Sequence, residues 1–350
     1  MLKHIAIDAM GGEGGAALTV PAALKALQDT PDLHLTLVGD PRQIESLLAD
    51  SVVPDLADRC RLLAAGSSIS DEELPRNVLR SGRDSSMFKA VELVQSGEVQ
   101  AMVSAGNTGA LLMIGRHLLK TIEGVSKPAI VATIPGSQNQ CYLLDVGANP
   151  EADSQLLFQF AVMGSVLSES LSGQCCSVGL LNIGSEQFKG TDEVRQAAEL
   201  MEQCQALNYV GFIEANALFE GAADVVVCDG FVGNVTIKSS AGVAHVLQEL
   251  LEQEFEQSLM TKLSGQFSSS LFNRLVSRIN PQRFNGASLL GLQGSVVKSH
   301  GNATEEGFYY AIQQAVREVE QQVPQLIGQK VAAIIAANQG IPEPAAPRKS

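Results

Sequence analysis

Asp224-Val225-Val226-Val227-Cys228-Asp229-Gly230-Phe231-Val232-Gly233-Asn234 is the stretch whose reading decides the fold. It opens as a short β-branched run, the pattern of a strand buried on both faces. It continues as a turn with two glycines, and from Val235 a helical pattern runs through Leu247, Leu250 and Leu251. Strand, glycine turn and helix N-terminus form the unit that presents backbone N–H groups to an anion. Asn234 stands where an N-cap is expected, with an amide that can also donate outward. The same letters describe an ordinary βα turn that binds nothing, so what matters is how often the pattern returns.

It returns along most of the chain. His4 to Asp8 reads as a strand ending in Ala9-Met10-Gly11-Gly12-Glu13-Gly14-Gly15, followed by a helix from Thr19 to Gln28 with Pro21 in its first turn. Leu33 to Val38 is a second strand, residues 41–49 a helix, and 60–64 a third strand. This β-α-β-α-β rhythm predicts an α/β fold: a doubly wound, mostly parallel sheet with helices on both faces. Gln100 to Val103 is a strand that turns through Ser104-Ala105-Gly106-Asn107-Thr108-Gly109-Ala110 into a helix over Leu111–Leu119, with Asn107 or Thr108 as its cap. Ala129–Ile134 and Cys141–Leu144 read as a hairpin, and Asp145-Val146-Gly147-Ala148-Asn149-Pro150 leads into a helix at 153–167. A strand at Val178–Asn182 runs into Ile183-Gly184-Ser185-Glu186-Gln187-Phe188-Lys189-Gly190, then a helix at 192–206 and a strand at Val210–Glu214. In a doubly wound sheet such ends gather along the carboxyl edge, where ligands bind. Helices at 304–320 and 325–337 close a single catalytic domain over 1–337, and the proline-bearing segment 338–350 reads as a disordered tail.

Bulk properties narrow the function. The chain has 350 residues, 45% of them hydrophobic, enough to bury a substantial core. Its formal net charge of -14 argues against general nucleic-acid binding. The 6 cysteines show no CxxC spacing and sit largely in apolar runs, as reduced buried thiols do. The 5 histidines form no HExxH, and no serine stands in a nucleophile elbow, so neither a zinc site nor a serine hydrolase is expected. The residues before Ile5 are too few for a signal peptide, and no apolar run approaches ~20 residues, so the expected home is cytoplasmic.

The turns set the chemistry. They offer backbone donors, small polar side chains, the carboxylates Asp145 and Glu186, and one lysine, Lys189. That set suits phosphate binding and oxyanion stabilisation with the substrate itself as nucleophile. Gly12-x-Gly14-x-x-Ala17 also fits a loose dinucleotide fingerprint, which makes a nicotinamide oxidoreductase using the Gly12–Gly15 turn the alternative, with Asp40 on the ribose. Asp8 at the strand end opposes it, because a carboxylate there would face the pyrophosphate. Arg76, Arg80 and Arg83 fall on one helical face unless Gly82 breaks it, either as a solvated face or as a hold on an acidic partner. A non-catalytic carrier-protein adaptor is a third reading.

The chain resembles the PlsX family of phosphate acyltransferases over roughly residues 3–335. The resemblance rests on Ile7-Asp8-Ala9-Met10-Gly11-Gly12, Ser104 through Ala110, Leu144 through Asn149, Leu181-Asn182-Ile183-Gly184 through Lys189-Gly190, Asp229 through Asn234, and Gly291 through His300-Gly301. It implies transfer of a fatty acyl group from acyl-ACP to inorganic phosphate, giving acyl phosphate for phospholipid synthesis. It also implies a fold similar to isopropylmalate dehydrogenase and phosphotransacetylase, a homodimer, no nucleotide cofactor and no metal. Carried over by motif, Lys189 and Asn234 are the catalytic residues. Asp8, Gly11, Gly12, Ser104, Gly106, Asn107, Thr108, Gly109, Asp145, Asn149, Gly233 and His300 form the phosphate and substrate site. Glu13, Ala215, Ala217 and Ala241 depart from the family pattern.

One region has its own physics. No acidic residue lies between Glu256 and Glu305, while Lys262, Arg274, Arg278, Arg283 and Lys298 do. Leu271, Phe272, Leu275, Val276 and Ile279 share one helical face, with Leu263 and Phe267 before them. Residues 251–285 therefore read as a basic amphipathic hairpin for an anionic membrane surface, or as a helical pair at a dimer interface, and the resemblance implies that this hairpin protrudes. The resemblance favours the membrane. It places the protein peripherally on the inner face of the cell membrane, upstream of a membrane glycerol-3-phosphate acyltransferase.

Overall fold

The computed structural model describes residues 2–49, 55–136, 140–257 and 281–338. The expected membrane-facing residues Leu263, Phe267, Leu271, Phe272, Leu275 and Val276 lie outside them, as do residues 339–350 of the expected tail.

Among the described residues, eleven strands form one mixed sheet. They are β1 (Lys3–Asp8), β2 (Leu33–Gly39), β3 (Cys60–Ala64), β4 (Ala101–Ser104), β5 (Ala129–Ile134), β6 (Cys141–Leu144), β7 (Ser177–Leu181), β8 (Asn208–Ile213), β9 (Val225–Val227), β10 (Ala287–Leu290) and β11 (Ser295–Lys298). Their order is β3-β2-β1-β4-β11-β10-β5-β6-β9-β7-β8. The strands β1 to β4 and β11 are mutually parallel, and so are β6, β9, β7 and β8. Between the two groups, β10 and β5 join by three successive antiparallel pairings. The direction therefore inverts, and the carboxyl ends of the two groups emerge at opposite edges. This corrects the expectation of one shared carboxyl edge.

Helices cover both faces. They are α1 (Gly15–Asp29), α2 (Pro41–Leu48), α3 (Leu56–Arg59), α4 (Pro75–Ser81), α5 (Ser86–Gln95), α6 (Thr108–Leu118), α7 (Ser154–Ser172), α8 (Asp192–Gln203), α9 (Gly230–Gln257), α10 (Glu305–Gln321) and α11 (Val323–Asn338). Alternation along the strands sorts them. Ala6, Met102, Ile130, Leu289 and Val296 pack under α4, α5 and α6. On the same side of the neighbouring strands, Ile134, Leu143 and Val226 pack against Ile237 of α9. Their sequence neighbours point the other way, onto α1 and α10 or onto α7, α8 and α11. Period-two burial on both faces is what a sheet sandwiched between helices requires.

Several local expectations move. Helix α1 begins at Gly15, so Pro21 lies inside it, past the first turn. Gly82 ends α4, and α5 starts at Ser86, so Gly82 does break the helical face of Arg76, Arg80 and Arg83. Arg76 and Arg80 stay exposed on α4, while Arg83 is exposed beyond its end. The hairpin of β5 and β6 and the Asn107 cap of α6 are as the sequence reads.

Candidate active site

At one edge, the registers Ile7↔Val103 and Val103↔Val297 bring the ends of β1, β4 and β11 together, and with them Asp8, Ser104 and Lys298. All are nearly fully buried. Ser104 Oγ donates to Asp8 Oδ2 at 2.6 Å and accepts from the Gly106 amide at 3.0 Å. Burial pushes the Asp8 carboxyl up, against Ser104, Ser86, the Met10 amide and Lys298. Its Oδ1 has no hydrogen-bond partner. Burial pulls the Lys298 ammonium down to about 8; it donates to the carbonyls of Ala105 and Ser299. Gly11 and Gly12 are small because protein fills the space: a Cβ on Gly11 would lie 2.6 Å from Asp8 Oδ2, and one on Gly12 2.9 Å from the Gly301 carbonyl. The Glu13 amide donates to that same carbonyl. The turn is thus closed over by Ala105 and Gly301, where a dinucleotide would need it open.

Asn107 works locally as well. Its Oδ1 caps α6 through the Ala110 amide, and its Nδ2 donates to the carbonyls of Ser70, Asp71 and Glu73. Gly109 seats Pro75, whose Cγ would be 2.6 Å from an added Cβ. Of the site residues expected at this edge, Thr108 and His300 are exposed. The His300 amide donates to Asn285 Oδ1 at 3.1 Å. Its imidazole is held below the ordinary histidine range, first by crowding and then by Lys298 and Lys238.

At the opposite edge, Leu144, Leu180 and Val227 are in register, so Asp145, Asn182 and Asp229 leave adjacent strands together. Asp145 is fully buried and spent on its own loop. Oδ1 accepts from the amides of Ile130, Gly147 and Ala148, and Oδ2 from the amide and side chain of Asn149. Asn149 Nδ2 also donates to the Pro128 carbonyl. Neither Asp145 nor Asn149 is open to a ligand, which corrects the sequence reading: they build the 145–149 loop.

Helix α9 is docked on that loop. Gly230 donates to the Asn149 carbonyl at 2.7 Å, and a Cβ on Gly233 would lie 1.8 Å from the Asp145 carbonyl oxygen. Asp229 is the cap: its Oδ1 accepts from Val232 at 2.8 Å and its carbonyl from Gly233 at 3.0 Å. The N-cap expected at Asn234 is therefore wrong by more than a turn. The amides of Gly230, Val232 and Gly233 have protein partners, so this helix start is not the open anion cradle that the sequence predicts. Asn234 is half-buried inside the helix, and its Nδ2 faces Gly147, where a Cβ would come within 3.0 Å. Gly147 has φ +135°, so its backbone too calls for glycine.

Lys189 lies on the loop after β7, next to β9 in the sheet. Asn182 shapes that loop, its Nδ2 donating to the Lys189 carbonyl at 3.1 Å. Lys189 Nζ pairs with Glu186 at 2.8 Å, with both side chains part-exposed. Ile183 and Phe188 project from the same loop at 79% and 76% exposure, and Phe231 from α9 at 66%. The sequence reading missed Lys238, one turn beyond Asn234 and electrostatically coupled to His300. Only its i, i+4 spacing from Asn234 could have signalled it. The open polar groups are thus Lys189, Asn234, Lys238, His300 and Thr108. Burial holds the Cys141 thiol up at about 12 and that of Cys228 well above its ordinary range, so neither supplies a thiolate at neutral pH.

A family model described as fatty acid synthesis protein matches residues 3–326. A phosphate acyltransferase of Pseudomonas putida (strain GB-1) is 48% identical over 321 residues, 92% of this chain and 95% of that one. Another, from Pseudomonas syringae pv. tomato, is 47% identical over 332 residues, covering 95% and 97%. Among solved structures, a phosphotransacetylase from Streptococcus pyogenes superposes with TM-score 0.59 at 16% identity, covering 91% of this chain and 94% of that one. A 4-hydroxythreonine-4-phosphate dehydrogenase from Klebsiella pneumoniae reaches TM-score 0.51 at 14% identity, covering 91% and 98%. At such identities these structures share the fold alone with this chain.

Proposed function

The chain belongs to the PlsX family of phosphate acyltransferases, and from that premise we propose how its open polar groups transfer an acyl group to phosphate. The observation that carries the reading is identity near half over 92% of the chain with proteins named for that activity. Acyl-ACP is the donor we infer. A phosphate oxygen attacks the thioester carbonyl carbon, the carbonyl becomes an oxyanion, and its collapse breaks the C–S bond and releases the carrier thiolate. Lys189 holds the phosphate against the thioester and offsets charge as the oxyanion forms. Asn234 donates from Nδ2 to that oxyanion or to a phosphate oxygen. Phosphate is already a competent nucleophile, so no enzyme nucleophile is required.

Asp8, Ser104, Asn107, Asp145 and Asn149 act behind this set, holding the turns that carry it. Gly11, Gly12, Gly106, Gly109 and Gly233 let those turns close on one another. The exposed apolar side chains of Ile183, Phe188 and Phe231 suit the first carbons of an acyl chain. Among the described residues no helix is long and apolar enough to cross a membrane. Membrane contact is assigned to the acid-free segment, with the homodimer and a downstream membrane glycerol-3-phosphate acyltransferase as further partners. The decisive experiment is incubation with acyl-ACP and labelled phosphate, trapping acyl phosphate with hydroxylamine. Acyl hydroxamate that depends on both substrates is expected. Its absence, with carrier binding intact, would favour the adaptor reading.

A further inference from the structure

We propose that the cavity between α10 and the β5–β6 hairpin is a second oxyanion site, holding a phosphate group on Arg317 and Tyr142. Phosphate bound there is distinct from the phosphate assigned to Lys189 and Asn234. The cavity has a volume of about 50 Å³ and is lined by Thr133, Gln140, Tyr142, Arg283, Gln314 and Arg317, and by residues 284–286. That is room for roughly three to five waters, which suits one tetrahedral oxyanion and excludes a nucleotide. The fold brings the lining together. Thr133 and Tyr142 are paired across the hairpin, so both point to one face of the sheet. Gln314 and Arg317 stand three residues apart on α10. Gly286, with φ +108°, lets the chain enter β10 against that helix, where a Cβ would lie 3.0 Å from Ala311 Cα.

The donors are unspent. Tyr142 is 6% exposed, and its hydroxyl oxygen accepts from Gln140 Nε2 at 2.7 Å. Among the described residues its own proton has no acceptor, so a buried O–H donor lines the cavity unanswered. Arg317 donates to Gln314 Oε1 at 2.8 Å and, among the described residues, pairs with no carboxylate, which leaves the rest of its fork. No lining residue is acidic. The carboxylates of α10 are placed elsewhere. Glu318 is 2% exposed, its Oε1 accepts from Ser288 and Gln314, and burial pushes its carboxyl up. Glu320 pairs with Lys3. Glu305 and Glu306 lie in the first turn, and Glu306 stands four residues before Tyr310, whose ring Arg283 covers at 5.9 Å. Arg317 is therefore the charge on which the site depends. A phosphate group would accept from the Tyr142 hydroxyl and from two N–H groups of Arg317 at once. Its source is either the free ion or the phosphate monoester of a lipid headgroup.

The test is an NMR titration of the full-length protein with its 4 tyrosines labelled with carbon-13 at Cζ, which senses hydrogen bonding by the hydroxyl. Tyr142→Phe assigns the Tyr142 signal. Inorganic phosphate and, separately, dihexanoyl phosphatidic acid below its micelle concentration are added to the wild type, Arg317→Gln, Arg317→Lys and Lys189→Ala. A saturable Tyr142 shift is expected in the wild type and in Lys189→Ala. Loss of the charge-assisted hydrogen bonds should weaken the apparent affinity about ten- to hundredfold in Arg317→Gln, with part of it recovered in Arg317→Lys. Arg317 is exposed, so both of its variants should keep the urea midpoint of the wild type. Saturation at lower concentration by inorganic phosphate assigns the free ion, and by the lipid a headgroup. No Tyr142 shift with either ligand, or an unchanged affinity in Arg317→Gln, overturns the site. A shift that disappears in Lys189→Ala also overturns it, because Tyr142 would then be reporting phosphate at the catalytic groups. The readout needs no turnover, so a failure of acyl phosphate formation leaves it decisive.

Discussion

Gly233→Ala sets two known effects against each other in a single methyl group. In a helix interior alanine is favoured over glycine by about 1 kcal/mol. Here the new Cβ would lie 1.8 Å from the Asp145 carbonyl oxygen, 2.9 Å from its carbon and 3.0 Å from Cys228 Sγ. Carbon contacts relax near ~3.5 Å, so helix and loop must separate by roughly 1.5 Å. The two shortest of these contacts are to the backbone of Asp145, which cannot swing aside as a side chain would. Overpacking of this kind costs about 1–3 kcal/mol, so the clash wins and the variant should be destabilised by about 1–2 kcal/mol. Activity should fall further than stability. Asn234 is the next residue, and a misplacement of about 1 Å at a positioning group can cost roughly 10²-fold in rate. Gly242→Ala is the internal control: it sits in the same helix with nothing within 4 Å of the added methyl. That variant should gain up to about 1 kcal/mol and keep full turnover. Urea unfolding and kcat/KM on acyl-ACP measure both. If Gly233→Ala matches Gly242→Ala in midpoint and activity, then the contact with Asp145 is not what seats α9.

Lys189→Ala should lower kcat/KM by about 10²–10³ while the urea midpoint holds, since a part-exposed ion pair adds little stability; near-normal turnover would remove Lys189 from catalysis. Asn234→Asp should abolish activity without unfolding the protein, because Asp229 caps the helix and the new charge would oppose the substrate anion; an active Asp variant refutes that role. Lys298 has its pKa pulled from the ordinary 10.5 to about 8, so between those values the unfolded chain binds a proton that the folded chain lacks. Its contribution to stability should rise with pH across that window by up to about 1.4 kcal/mol per pH unit, and Lys298→Met should lose this slope in pH-dependent urea unfolding; equal slopes would show that the ammonium is not desolvated. For the acid-free segment, liposome co-sedimentation should need anionic lipid and weaken with salt; polar replacement of Leu271 and Phe272 should remove about 1.5–3 kcal/mol per inserted side chain while turnover on soluble acyl-ACP persists. A wild type that ignores anionic vesicles at low salt ends the membrane idea, and a monomeric variant assigns the helix to the dimer interface.

Most of the strands and helices were legible because their periodicity is strong. Val225–Val227 reads as a doubly buried strand and is so. The strands β10 and β11 were not legible: each is four residues long, carries serine, and sits among glycines that resemble turn signals. Asn234 was misread for a related reason. Gly230-Phe231-Val232-Gly233 has the composition of a turn, yet its glycines lie within α9, where they allow the loop to approach. Asp145 looked like a ligand group because sequence shows a carboxylate at a strand end and not the donors converging on it. Chain patterns expose local chemistry, whereas these errors concern which groups meet across the sheet.

The inversion of strand direction explains why the site needs α9 at all. Asp8, Ser104 and His300 belong to one edge, and Asn182, Asp229 and the 145–149 loop to the other. Strand β6, four residues long, spans about 13 Å between those edges. The eight-residue step from Gly230 to Lys238 spans about 12 Å along a helix. A helix seated at one edge by Gly230 and Gly233 thus carries Lys238 away from that edge, with Ile237 packed on the sheet. Asn234 stands midway along that step. The two glycines therefore fix the position of both side chains through one rigid element, and a change in how the helix sits on Asp145 must move Asn234 and Lys238 together.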